Sequence, residues 1–467
     1  MCKFFYNSQL AECDFFTNHI DFHGRDVLYF ADKRKKRIER MLIDITFTNV
    51  FSYDTATTFS MQAGKITKQH RKHVTKICGI PILRGAIVYG PNAAGKSNFL
   101  KAVRLLIEML QKDSCRMAQG RQFKLSRERK KNINWSLNFA YDDDVFHYEV
   151  ETDGVTVLKE YLSRFTEKDE ELMFLRKKLE VRFGDAYKND PWYGARTFKP
   201  ECFLISKLYQ DGIFERSDSI QGARSFVCAI RGLRSINVLS TKSSPVAQGI
   251  GSLLQIKDFK MFLKQILHLA DLGIDGVVWR KCIGREAREI IDFTMDWSDE
   301  EHEGVRFVNF RGSLWGVEKN DAKQTVYELR FVHKGVPMRM AEESEGTIRL
   351  FELSVFLYSL KVGQKTWLVD EIDCHMHSFL TYHVLKKIME MPNIRSQIIV
   401  TAHDTTLMDH EIWRTDEVWF AEKRMDGSSD IYSLYQYTPR YDKKLEKGYR
   451  QGLYGAIPHI GGEMLNG

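Results

Sequence analysis

Apolar and polar positions alternate in three stretches of the first third. "MLIDITFTNVFSY" from Met41 carries Leu42, Ile43, Ile45 and Phe47, and predicts an opening strand. "NWSLNFAY" (134–141) and "VFHYEVET" (145–152) alternate again, and "TDGV" (152–155) is a turn signal after them. The same period returns late, in "GVRFVNF" (304–310) and "TVYELRFVHKG" (325–335). Three shorter runs are apolar throughout: "GAIVYG" (85–90), "WLV" (367–369) and "IIV" (398–400). They predict short buried strands.

Helical spacing appears elsewhere. Phe99, Leu100, Val103, Leu106, Ile107 and Leu110 form one face of a helix after the first buried run. Ile348, Leu350, Phe351, Leu353, Phe356 and Leu357 do the same before the second. "KDEELMFLRKKLEVRF" (168–183) is charged and helical in texture, and 252–273 is a stronger amphipathic helix. The expectation is an α/β chain: a β-lobe and core in 41–165 and 301–440, interrupted by a mainly helical insertion at 166–300. Residues 441–467 form a C-terminal helix and tail. Residues 1–40 are a native extension or an upstream translation artefact. No fixed-period repeat is visible.

Composition narrows the class. The chain has 467 residues, 43% of them apolar, with a net charge of +7 and eight cysteines. That length predicts two or three units. No apolar run is long enough to span a bilayer, and "MCKFFYNSQLAECDFF" lacks the apolar core of a signal peptide. The cysteines form no Cys-x-x-Cys pair, which argues for reduced thiols and a cytoplasmic setting. Basic clusters stand at 33–37, 68–73 and 124–131. They read as solvated faces or as contacts to a phosphate backbone.

The chemistry begins at "VYGPNAAGKSNF" (88–99). Gly90, Gly95, Lys96 and Ser97 fit G-x-x-x-x-G-K-[ST], placed between a predicted strand and a predicted helix. Glycines let backbone N–H groups face phosphate oxygens, and the helix adds its positive end. Gly90, Asn92, Ala94, Gly95, Lys96, Ser97 and Asn98 are the expected ATP-binding residues. Lys96 reaches the β- and γ-phosphates and Ser97 ligates Mg²⁺. Asp370 and Glu371 follow the second buried strand. Asp370 completes the Mg²⁺ shell, and Glu371 orients and deprotonates water. His403 follows the third strand, where it can contact the γ-phosphate and that water. Ser344 and Gly346, in "SEGT" at a helix start, make a second anion-facing surface. In "DCHMH" (373–377), Cys374, His375 and His377 lack a second ligand pair at zinc spacing.

Phosphate loop, Ser-x-Gly helix start, strand-Asp-Glu and strand-His, in this order, resemble the ABC-type ATPase heads of the SMC/RecF class. The stretches "EESEGTIRL", "WLVDEIDCHMH", "IIVTAHDTTLMD" and "RYDKKLEKGYRQGLYGAIP" look like the compact bacterial ATPases related to the OLD-family head, the abortive-infection or RloA-like group. The ATPase subunit of PARIS anti-phage systems is of this kind. The resemblance covers roughly 41–110 and 325–458. It implies an ABC-type head, with a mixed β-lobe and a parallel core sheet flanked by helices, working as a homo-oligomer built from head-to-head dimers. Ser344 and Gly346 would close on ATP held by the other copy. It also implies a separately encoded effector, a Toprim or HNH nuclease, and a phage trigger protein. A RecF-like DNA-repair ATPase is the alternative. Ser-Glu-Gly-Thr departs from Ser-Gly-Gly-Gln, no Q-loop glutamine stands out, and the long SMC arms are missing. The tail residues Tyr441, Leu445 and Tyr449 share a helix face, which docks on the head or meets another subunit.

Overall fold

The computed structural model describes residues 39–66, 70–126, 132–166, 169–188, 199–210, 221–239, 247–269, 273–294, 304–320, 323–391, 396–438 and 444–457. The 33–37 cluster, Tyr441, most of the 1–40 segment and parts of the other basic clusters fall outside these residues. The fold is mixed α/β, in two compact units.

The larger unit comprises Arg37–Ser240, Leu360–Asp373 and Thr381–Gly467. Its core is a six-stranded sheet in the order Ile236–Leu239, Thr366–Val369, Gln397–Thr401, Gly85–Tyr89, Val418–Lys423, Ser429–Ser433. All pairings are parallel except the last. Ile87, Val88, Leu368, Val369, Ile399 and Val400 are fully buried, as uninterrupted apolar runs require. The parallel register brings the C-terminal ends of three strands together, so the residues after Tyr89, Val369 and Thr401 share one edge. That edge is where open α/β sheets bind ligands.

A seven-stranded antiparallel sheet forms the lobe. Its order is Glu180–Phe183, Glu170–Lys177, Val157–Phe165, Asp144–Thr152, Ile133–Tyr141, Arg40–Thr48, Thr57–Ser60. The expected opening strand and the two alternating strands are all present. Gln397, fully buried, ties the lobe to the core sheet. Its side-chain oxygen accepts the Leu42 N–H at 2.9 Å, and its NH₂ donates to the carbonyls of Leu42 (3.0 Å) and Leu83 (2.9 Å). Helix Lys96–Lys112 buries its predicted face, with Phe99 against Phe59 at 4.9 Å between ring centres.

The 166–300 stretch does hold helices, at Leu204–Gln210, Gln221–Arg234, Ala247–Leu253, Lys257–Leu269 and Arg285–Phe293. It also supplies strands to three sheets, and it divides at Ser240, with the part before in the larger unit and the part after in the smaller one. In place of the helix expected over the charged segment, Glu170–Lys177 and Glu180–Phe183 form a strand hairpin. Pairing with Val157–Phe165 buries Met173, Phe174 and Arg176. Arg176 is tolerated because its guanidinium meets the equally buried Glu160 at 3.4 Å and donates to the Lys178 carbonyl at 2.6 Å. The single long helix expected over 252–273 is broken between Leu253 and Lys257.

The smaller unit includes Thr241–Ser359 and Cys374–Leu380. Its antiparallel sheet runs Ile274–Cys282, Lys323–His333, Ser313–Asn320, Gly304–Phe310, with Val336–Arg339 added on Lys323–His333. Ala287 and Ile290 of helix Arg285–Phe293 cover Trp315, Val317 and Val326. Helix Glu345–Val362 packs Phe351 on Phe331 at 5.3 Å.

Candidate functional site

The phosphate loop spans the gap between strand Gly85–Tyr89 and helix Lys96–Lys112. Gly90 has φ +149°, and a Cβ there would lie 2.2 Å from the carbonyl oxygen of Ala421. Only glycine lets strand Val418–Lys423 approach the start of the loop this closely. Asn92 is exposed at the loop tip, while Ala94, Gly95 and Lys96 are buried. Tyr53, fully buried, donates to the Gly95 carbonyl at 3.1 Å. Asn98 donates to Ser52 Oγ at 3.0 Å. Beside Asn98 opens a cavity of about 350 Å³, lined also by Phe51, Arg121, Phe123 and Lys423.

Lys96 is folded onto its own loop. Its Nζ donates to the carbonyls of Gly90 (2.6 Å) and Pro91 (3.1 Å). Burial pushes the ammonium down to about 8, against the opposing pull of Asp370, Glu371 and Asp373. A polyphosphate would offer this buried cation anionic oxygens in place of the two neutral carbonyls.

Three predicted residues from distant parts of the chain converge on the loop. Ser97 Oγ donates to Asp370 Oδ1 at 3.3 Å. Thr401 Oγ1 donates to the same oxygen at 2.7 Å and accepts the Glu371 N–H at 2.8 Å. Glu371 has φ +47°, in the left-handed region, and the Thr401 bond helps to hold it there. His403 Nε2 lies 3.6 Å from Glu371 Oε1, with both side chains partly exposed. A hydroxyl and a carboxylate, both hard oxygen donors, fit Mg²⁺ at Ser97 and Asp370. Thr401 was not among the expected residues. Its signal was present in the sequence, as a hydroxyl ending the strand just ahead of His403.

Ser344 and Gly346 belong to the smaller unit. Ser344 is exposed and caps helix Glu345–Val362, its Oγ accepting the Thr347 N–H at 3.1 Å. A Cβ on Gly346 would come within 2.8 Å of the His375 carbonyl oxygen, so the two turns pack backbone to backbone. His375 Nδ1 meets Glu345 Oε2 at 2.9 Å, and His377 Nδ1 accepts the Phe379 N–H at 3.2 Å.

A family model described as "AAA domain, putative AbiEii toxin, Type IV TA system" matches residues 86–196 and 284–409, just over half of the chain. The chain belongs to this AAA-domain family. The matched segments contain the phosphate loop, the Ser344 turn, Asp370, Glu371 and His403 of the AAA domain. No curated protein matches it. Among solved structures, an Smc head bound to the C-winged helix domain of ScpA is 14% identical, with a TM-score of 0.44 over 88% of this chain and 99% of that one. The SMC head domain from Thermotoga maritima is 10% identical, with a TM-score of 0.37 over 84% and 98%. An Smc head from Pyrococcus furiosus, with an extended coiled coil and bound to the C-terminal domain of ScpA, is 14% identical with a TM-score of 0.37 over 86% and 98%.

The C-terminal tail docks on the core of the larger unit. Helix Leu445–Arg450 stacks Tyr449 on Phe420 with ring centres 5.5 Å apart, and Tyr449 Oη donates to the Ala456 carbonyl at 2.6 Å. Among the described residues no helix is long and apolar enough to cross a membrane.

Proposed function

We propose that the chain binds and hydrolyses ATP with Mg²⁺, as the sensor and scaffold subunit of a bacterial anti-phage system of the abortive-infection kind. The observation that carries the ATPase reading is the convergence of Ser97, Asp370, Thr401, Glu371 and His403 at the phosphate loop. The family description, with its putative AbiEii toxin, supports the defence setting. The effector would be a separately encoded Toprim or HNH nuclease, as in PARIS-like systems, and the trigger a phage protein.

In this reading the backbone of Gly90–Gly95 cradles the phosphates, with Asn92, Ala94 and Asn98 lining the approach. Lys96 leaves the Gly90 and Pro91 carbonyls for β- and γ-phosphate oxygens. Mg²⁺, held by Ser97 and Asp370, would neutralise charge developing on the phosphates. Glu371 takes the proton of the attacking water, and His403 contacts the γ-phosphate. Two copies meet head to head in the cytoplasm. Exposed Ser344 and the Gly346 turn then face the nucleotide of the partner copy, offering helix N–H groups to its γ-phosphate.

The test is ATP turnover and native mass, with and without ATP, for the purified chain and for Lys96→Ala. Support would be Mg²⁺-dependent phosphate release, lost in Lys96→Ala, with ATP-driven assembly and little response to DNA. Turnover stimulated by DNA and falling steeply with salt would favour the RecF-like reading. Absence of both nucleotide binding and turnover in the intact chain would end the proposal.

A further inference from the structure

One side chain outside the predicted set joins the Glu371 segment to the His403 loop. Asp373 Oδ2 accepts the backbone N–H of His403 at 2.8 Å and of Asp404 at 2.7 Å. Two successive N–H groups aimed at one oxygen form a small anion nest. Asp373 Oδ1 is buried without a hydrogen-bond partner among the described residues. The carboxylate is thus committed to the loop through one oxygen, at the cost of leaving the other unmet.

The surrounding bonds show what the clamp controls. The Glu371 N–H is fixed on Thr401 Oγ1, and the Ile372 N–H on the Thr401 carbonyl at 3.0 Å. The short segment 371–373 therefore lies along the end of strand Gln397–Thr401 and continues onto the loop after it. The backbone at Glu371 and Ile372 sets one side of the 3.6 Å separation between Glu371 and His403. Asp373 sets the other, because it grips the amide of His403 itself. Its bonds are charge-assisted, roughly twice as strong as neutral ones.

We infer that Asp373 is a positioning residue, holding the His403 loop so that the imidazole stays within reach of Glu371 and of a bound γ-phosphate. This rests on the hydrolytic reading above. Among the described residues the hydrogen bonds of Asp373 go to the His403 loop, and it reaches Lys96 only through its charge, so its loss should lower turnover without weakening nucleotide binding.

The experiment uses the full chain, with Asp373→Ala and Asp373→Asn. Binding is followed with a fluorescent ATP analogue, and phosphate release as kcat and KM. Amide hydrogen exchange is read without nucleotide on the peptide carrying His403 and Asp404. Asp373→Ala should bind the analogue at least as tightly as wild type, lose kcat by ~10- to 100-fold through misplacement of the loop, and exchange faster at that peptide. Asparagine keeps one carbonyl acceptor and should restore part of kcat and of the protection. Unchanged exchange in Asp373→Ala, unchanged kcat, or an equal loss in both variants with binding also lost would overturn the inference. A wild-type chain without turnover, whose Asp373→Ala variant still exchanges faster, would sink the hydrolytic reading while leaving the clamp standing.

Discussion

Thr401→Val separates polar organisation of the site from simple packing. Thr401 is fully buried and its hydroxyl makes two bonds, donating to Asp370 Oδ1 at 2.7 Å and accepting the Glu371 N–H at 2.8 Å. Valine keeps the shape and removes both bonds. Losing a hydrogen bond to a charged group costs about 1.5–3 kcal/mol, and an unmet N–H adds about 1. Asp370 keeps only the longer contact from Ser97 at 3.3 Å, which recovers little. The expected loss is about 2.5–4 kcal/mol. Thr401→Ser is the control, since it keeps the hydroxyl and discards one methyl, worth about 1 kcal/mol. The assay is urea unfolding without nucleotide, comparing midpoints at constant slope. Valine should be the more damaging change although it preserves volume, and it should also slow phosphate release by misplacing Asp370 and Glu371 together. A Thr401→Val protein as stable as Thr401→Ser would refute this account of the hydroxyl.

Other expectations are more direct. Glu371→Gln should bind ATP and stall before hydrolysis, so that native mass measurements find the ATP-bound assembly persisting; normal turnover would remove Glu371 from the proposed role. Gly90→Ala must place a Cβ 2.2 Å from the Ala421 carbonyl oxygen at φ +149°, a backbone region costing about 1–3 kcal/mol before the clash is counted; a wild-type melting temperature with intact ATP binding would contradict the packing described. Lys96 has its folded-state pKa lowered to about 8 by burial. Between about 8 and the ordinary lysine value the unfolded chain binds more protons than the folded one, so stability should rise with pH through that window. Lys96→Met lacks the titrating ammonium, and a wild-type-minus-mutant difference that stays flat across the window would rule this linkage out.

Sequence alone determined the pieces whose geometry is local. The phosphate loop needs only its glycines, Lys96, Ser97 and a strand-to-helix turn. The apolar runs at 85–90, 367–369 and 398–400 read as buried strands, and the parallel register of the folded sheet then put the residues following them at one edge. Tertiary structure decided what depended on distant partners. The charged texture of 168–183 suggested a helix, but pairing with Val157–Phe165 offered the backbone of Glu170–Lys177 a ladder and Glu160 offered Arg176 a buried counter-ion. Ile236–Leu239 joined the core sheet through register with Thr366–Val369, which no local period announces. The roles of Thr401 and Asp373 were hidden for the same reason: a hydroxyl or carboxylate reveals what it holds only when the chain brings another segment's N–H within hydrogen-bond distance.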